Sequence, residues 1–136
     1  MTDDEESPAQ EQEPQLHILL VEDDADTGAL LTDALGEFTP SHPLHVSNAV
    51  QALEAVASLT PSLFILDYHL PGLNGLELAD RLRAITGLER VPILMLSAHL
   101  PPRQAMRERG IQFLAKPFHL GVLLKTVEQL LPTPSH

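Results

Sequence analysis

The chain has 136 residues, 43% of them hydrophobic, with no cysteine and a formal net charge of −11. It can form neither a disulfide nor a thiolate metal site, no apolar run approaches the roughly 18 residues of a membrane span, and the N-terminus is acidic rather than signal-like. Length and charge point to one cytoplasmic domain, without membrane contact and ill-suited to direct nucleic-acid binding.

Residues 1–15, MTDDEESPAQEQEPQ, hold six acids and no base and are expected to be a disordered acidic tail. The folded domain is expected over 16–131, with PTPSH at 132–136 as a second tail. LHILLV (16–21) reads as the first strand, followed by a helix with Leu30, Leu31, Ala34, Leu35 and Phe38 in one stripe. LHVS (44–47) is the second strand, and Val50, Leu53, Val56 and Ala57 mark its helix. SLFILD (62–67) is the third, before a helix carrying Leu78, Ala79, Leu82 and Ile85. PILMLS (92–97) is the fourth. The helix after it, within 101–109, is short, with proline at its first turn and Gly110 just past its end. IQFLA (111–115) and a helix bearing Leu120, Leu123, Leu124, Val127, Leu130 and Leu131 complete the series. Three strands are almost continuously apolar, as in a sheet covered on both faces. The alternation implies an α/β domain with a parallel sheet of five strands and five helices.

In such a sheet ligands bind beyond the carboxyl ends of the strands, where the strand order reverses. Glu22 and Asp23 follow the first strand, Asp67 ends the third, Ser97 ends the fourth and Lys116 follows the fifth. Only the second strand ends without a reactive side chain, at Ser47 and Asn48, which fits the order 2-1-3-4-5. Three carboxylates there suit a hard divalent cation, and Mg2+ fits a half-open site. Lys116 offsets the remaining charge. Asp24 is expected to cap the following helix, with Asp26 as a second candidate. A carboxylate beside Mg2+, a lysine and a hydroxyl suits phosphoryl acceptance by nucleophilic attack. His42 and His45 lack recognised zinc spacing, and Arg103 and Arg107 read as a solvated helix face.

The segments ILLVEDD, LFILDYHLPGLNG, ILMLSA and FLAKPF resemble, in order, the four signature segments of the response-regulator receiver domain. The resemblance covers residues 16–131 and implies a flavodoxin-like doubly wound sheet. It implies that Asp67 accepts a phosphoryl group from a phosphohistidine on a sensor histidine kinase or histidine phosphotransfer protein. Asp23 and Asp67 would ligate Mg2+ directly, Glu22 through water, and the backbone carbonyl of His69 would complete the protein ligands. Ser97 would hydrogen-bond the phosphoryl group and Lys116 would ion-pair with it. Phe113 occupies the aromatic switch position, and Lys116-Pro117 matches a cis-proline junction. His69 and His99, each two residues beyond a site residue, would modulate the phosphoryl lifetime.

One departure stands out. Ser97 and Lys116 are 19 residues apart, a few fewer than is usual in that family, so the fourth helix loses a turn. The partner surface that the family commonly builds there is expected to be displaced. The implied protein is a switch that catalyses only its own phosphorylation and autodephosphorylation, monomeric before phosphorylation, and signalling to a downstream protein. A stand-alone receiver is expected from Met1 and the loose C-terminus, with a piece of a larger regulator as the alternative. Two rivals are weaker. A haloacid-dehalogenase-like phosphohydrolase would need an aspartate where His69 stands, and a cap insertion. A phosphorylation-independent adaptor would not need the complete acidic and lysine set.

Overall fold

Residues Leu16–Val21 (β1), Ser41–Val46 (β2), Leu63–Asp67 (β3), Ile93–Ser97 (β4) and Gln112–Ala115 (β5) pair in parallel in the order β2-β1-β3-β4-β5. Between and after them run Ala25–Phe38 (α1), Ala49–Ala55 (α2), Gly75–Arg83 (α3), Arg103–Glu108 (α4) and Leu120–Leu130 (α5). The computed structural model describes residues 15–99 and 102–132. The disorder expected of the two tails concerns residues that lie almost wholly outside this range. No helix among the described residues is long and apolar enough to cross a membrane.

Two apolar layers sandwich the sheet. Ile18, Leu20, Leu63, Ile65, Leu94 and Leu96 meet α1 and α5 on one face. Leu19, Val21, Phe64, Leu66, Ile93 and Met95 meet α2, α3 and α4 on the other. Every residue of β3 and β4 is buried, which is why these strands read as unbroken apolar runs rather than alternating ones. The edge strand β2 carries Pro43 opposite Ile18, and a proline there withholds the amide that another chain could pair with.

Three sequence expectations are corrected. The α1 stripe was drawn too wide: Leu31, Ala34 and Leu35 are buried, but Leu30 and Phe38 are 63% and 57% exposed. A surface helix buries a stripe only somewhat wider than 100°, and Leu30 falls outside the line Gly28–Leu31–Leu35. In α2 the inward residues are Ala49 and Ala52, with Leu53 and Val56 partly buried and Val50 on the surface. The strand β2 also starts three residues before Leu44, because Ser41, His42 and Pro43 pair with Leu16, His17 and Ile18. Apolar content does not mark a polar edge.

The shortened fourth helix is as expected. Its six residues make less than two turns, and Gly110, at φ +64°, ends it in the left-handed region. The start of α3 is better built. The Asn74 side chain accepts from the Glu77 amide at 2.9 Å, and Glu77 accepts from the Asn74 amide at 3.0 Å. Gly75 must follow, because a Cβ there would lie 2.7 Å from the carbonyl oxygen of Asp67. Asn74→Ala should lose about 1 kcal/mol of stability, read as a lower urea midpoint at unchanged m value.

Candidate functional site

The first strand hands its carboxylates to two different duties. The Glu22 amide continues the ladder by donating to the Val46 carbonyl at 3.0 Å, and its side chain is buried at 1% exposure. Asp24 turns away. Its carboxylate caps α1, accepting from the Thr27 amide at 2.9 Å and from the Thr27 hydroxyl. Those bonds hold the Asp24 carboxyl below its ordinary pKa. Asp26 lies exposed in the first helical turn and makes no cap. Asp23, between Glu22 and Asp24, stays exposed.

Asp67, the last residue of β3, is 5% exposed. Its Oδ1 accepts from the His69 amide at 3.1 Å, and its Oδ2 from Lys116 Nζ at 3.2 Å. Lys116 reaches the cleft because its own amide donates to the Ser97 carbonyl at 2.7 Å, and the peptide to Pro117 is cis, as expected. The same Nζ donates to Glu22 Oε1 at 3.0 Å, while Glu22 Oε2 accepts from the Asp24 amide at 3.1 Å. Burial by itself lowers the Lys116 pKa. The Glu22 hydrogen bond and the charges of Asp67 and Glu22 outweigh it, so the ammonium is held above its ordinary value. A raised lysine contributes stability fully below its unfolded value, about 10.4, and loses it only as pH climbs through the folded one.

Oxygens of Glu22, Asp23 and Asp67 lie within 4.8 Å of one another. Three carboxylates against one ammonium leave a formal excess of negative charge, and an all-oxygen donor set of this kind suits a hard divalent cation. The fit is chemical as well as geometric.

The remaining expected side chains make no hydrogen bond to Glu22, Asp67 or Lys116 among the described residues. Ser97 is fully buried, but its hydroxyl donates to the His99 carbonyl and accepts from the His99 amide at 3.2 Å. It is engaged with its own loop and makes no hydrogen bond to Asp67 among the described residues. Phe113 is half-buried against the α2–α4 side of the core. Arg103, expected to be merely solvated, places its guanidinium carbon 5.9 Å from the Phe113 ring centre, within cation–π reach. The rings of His69 and His99 meet edge-on at 5.2 Å, and Tyr68 meets His69 edge-on at 5.0 Å. The two imidazoles thereby bridge the loops after β3 and β4.

One contact was missed from sequence. His45 Nε2 lies 2.8 Å from the carbonyl oxygen of Glu22. The available signal was weak: Gly28 is one of two helix-weakening glycines in α1, the other being Gly36.

Comparison with known proteins agrees with this arrangement. The model of a family described as the response regulator receiver domain matches residues 18–128. A sensory/regulatory protein of Xanthomonas campestris is 34% identical over 117 residues; the match covers 82% of this chain but only 16% of that protein. The sporulation initiation phosphotransferase F of Bacillus subtilis is 30% identical over 120 residues, 88% of this chain and 96% of that one. Among solved structures, the receiver domain of a Pseudomonas aeruginosa sensor histidine kinase, with a magnesium ion coordinated in its active-site cleft, superposes with TM-score 0.74. It is 26% identical and covers 86% of this chain and 98% of its own. A Vibrio cholerae chemotaxis protein shares the fold, with TM-score 0.80 at 24% identity over 87% of this chain and 100% of its own.

Proposed function

The chain belongs to the family of response regulator receiver domains, and from that premise we propose that it is a phosphorylatable switch of a two-component or phosphorelay system. The observation that carries the reading is Lys116 Nζ bridging Asp67 and Glu22 beside the acidic cluster. Asp67 attacks the phosphorus of a phosphohistidine, an acyl phosphate forms, and the imidazole of the donor leaves. Lys116, already on Asp67, ion-pairs with the phosphoryl oxygens. The Ser97 hydroxyl leaves the His99 carbonyl and donates to the phosphoryl group, and Phe113 turns inward behind it.

Asp23, Asp67 and the His69 carbonyl would hold Mg2+, with Glu22 acting through water, as the resemblance to the receiver family implies. The ion would supply neutralisation of the charge that collects at the phosphoryl group. The donor chemistry here and the magnesium ion of the Pseudomonas neighbour support this choice. The phosphodonor is a sensor histidine kinase or a phosphotransfer protein, a reading supported by the sensory and phosphotransferase relatives. Residues 16–131 act as a cytoplasmic receiver, monomeric at rest. The phosphohydrolase alternative is not favoured: His69 offers no acid/base carboxyl two residues after Asp67.

Incubation with acetyl phosphate and Mg2+ should give one phosphoryl adduct by intact mass, lost when EDTA is present. Absence of any adduct over a full range of Mg2+ would refute the reading.

Two residues make further predictions. Lys116→Ala should accept phosphate with Mg2+ present, yet lose most of the beryllofluoride-induced NMR shifts around Phe113, because no fixed cation then ties the phosphoryl group to β5. Undiminished shifts would remove Lys116 from the coupling. Replacing both His69 and His99 with Ala should change the phosphate-release rate, since the two rings meet each other and the His69 amide bonds Asp67. A release rate equal to the parent's would dismiss them as modulators.

A further inference from the structure

The edge strand β2 grips the turn that carries Glu22 and Asp23 twice, and one of the grips is a side chain. On the β2 side the Val46 carbonyl accepts the Glu22 amide at 3.0 Å. The next residue back, His45, pairs with Leu20 in the ladder. It sends its ring along the α1 face of the sheet, to within 2.8 Å of the Glu22 carbonyl oxygen. A carbonyl only accepts, so Nε2 carries the proton. We propose that His45 is a positioning residue for the acidic cluster, fixing the Glu22–Asp23 peptide so that both carboxylates are preset for a cation. The inference rests on the reading of that cluster as a Mg2+ site.

The geometry explains why this bond matters more than one surface contact. The peptide unit is planar, so anchoring its oxygen restricts the rotation that aims Glu22 on one side and Asp23 on the other. With the amide of Glu22 tied to Val46 as well, the residue is held at both ends by the same neighbouring strand. Asp23 is exposed and has no side-chain hydrogen bond among the described residues, so its direction depends on the backbone beneath it. A cation binding to a turn free to rotate must order it first, and that cost appears as weaker affinity.

A second observation points the same way. A Cβ built on Gly28 would lie within 2.6 Å of three atoms of the His45 ring, far inside van der Waals contact. Gly28 lies in the first turns of α1, where glycine is about 1 kcal/mol less favourable than alanine. Gly28 is buried and its amide donates to the Asp24 carbonyl at 2.9 Å, so it sits in the same turn-to-helix junction. The helix gives up a side chain at the position the ring occupies. His45 is therefore wedged between the edge strand, the acidic turn and α1, a placement that a solvated histidine would not have.

The test compares two replacements in the full chain by Mg2+ titration, followed by calorimetry and by amide shifts of residues 22–24. His45→Gln keeps an N–H donor at similar reach, whereas His45→Phe keeps a ring without a donor. His45→Gln should stay within about twofold of the parent, and His45→Phe should bind Mg2+ about tenfold more weakly, the scale of losing an outer-shell partner. Gly28→Ala leaves His45 in the chain but evicts its ring, and should reproduce the His45→Phe loss even if the phenylalanine packs poorly. Nitrogen-15 spectra of the parent should place the imidazole proton on Nε2. Parent-like affinity in His45→Phe and Gly28→Ala, or an equal loss in His45→Gln and His45→Phe, would overturn the proposal. A parent chain that bound no Mg2+ would instead overturn the cation reading beneath it, a failure visible before any variant is compared.

Discussion

Asp67→Asn should abolish the phosphoryl adduct while leaving the fold intact. Asparagine matches aspartate in shape, so its carbonyl oxygen can still accept from the His69 amide, as Asp67 Oδ1 does at 3.1 Å. What disappears is the nucleophile. An amide oxygen does not attack a phosphohistidine as a carboxylate does, and neither neighbouring acid replaces it. Glu22 follows β1 and is held by Lys116 and the Asp24 amide, and Asp23 is exposed on the same turn, so neither stands at the end of β3.

The same substitution removes one negative charge from three carboxylates clustered within 4.8 Å. Like charges so close oppose one another, but the variant also gives up the Lys116 ion pair and turns its amide N–H toward that ammonium, so the readout is the response to Mg2+ and not the metal-free midpoint. The parent should gain stability on Mg2+ addition, as any ligand that binds only the folded state provides, and the variant should gain much less. Intact-mass analysis with acetyl phosphate and thermal melting with and without Mg2+ read the two effects separately. An adduct of parent intensity in Asp67→Asn would move the acceptor elsewhere. A full Mg2+ response in the variant would place the cation outside the cluster.

The parts of this site that were legible in sequence are those that lie at strand ends. Apolar runs terminating in Glu22–Asp23, Asp67, Ser97 and Lys116 disclose both the sheet and its functional edge, because a parallel sheet leaves few other places for buried strands to finish in polar residues. Asp24 was legible as a helix cap for an equally local reason. The contacts that escaped are those set by packing across elements. Nothing in the run SHPLHV says that His45 faces α1 while His42 faces the other way, against His17 at 5.7 Å. The spacing of three residues does so once the strand's extent is known, and the apolar pattern placed the start of β2 too late. Leu30 and Phe38 were misassigned because hydrophobicity alone does not fix a helix's rotation when more of its surface is apolar than can be buried. Ser97 is a subtler case: its location was legible, but its engagement with the His99 carbonyl depends on loop conformation.

Hydrogen exchange should find the first turn of α4 poorly protected at rest and much better protected with Mg2+ and beryllofluoride. The helix has six residues, begins at a proline that supplies no side-chain cap, and buries only Met106. A helix this short has no stability of its own, so it depends on what holds it. Its two ends are held unequally. At the C-terminal end Arg109 pairs with Asp80 through two bonds of 2.8 and 3.0 Å, and Arg83 donates to the Arg109 carbonyl. At the N-terminal end the Arg103 guanidinium rests near Phe113, a contact tied to the residue expected to move.

Inward movement of Phe113 behind Ser97 should therefore reset the free end of α4 while the arginine latch stays closed, and the amides of 103–106 should gain protection of about tenfold or more, at least 1.4 kcal/mol. The amides of 107–110 should change less. Asp80→Asn tests the latch itself: it should speed exchange of the C-terminal turn in both states. Acid should act similarly, because the Arg109 hydrogen bond holds the Asp80 carboxyl below its ordinary value. The contribution of that pair is present at neutral pH and is lost as pH falls below about 4, through the lowered pKa. Mass-spectrometric exchange at peptide resolution would separate the two ends. Equal protection of 103–106 with and without the phosphoryl analogue would mean that the latch fixes the whole helix, and the element that changes on phosphorylation would then have to lie on another face.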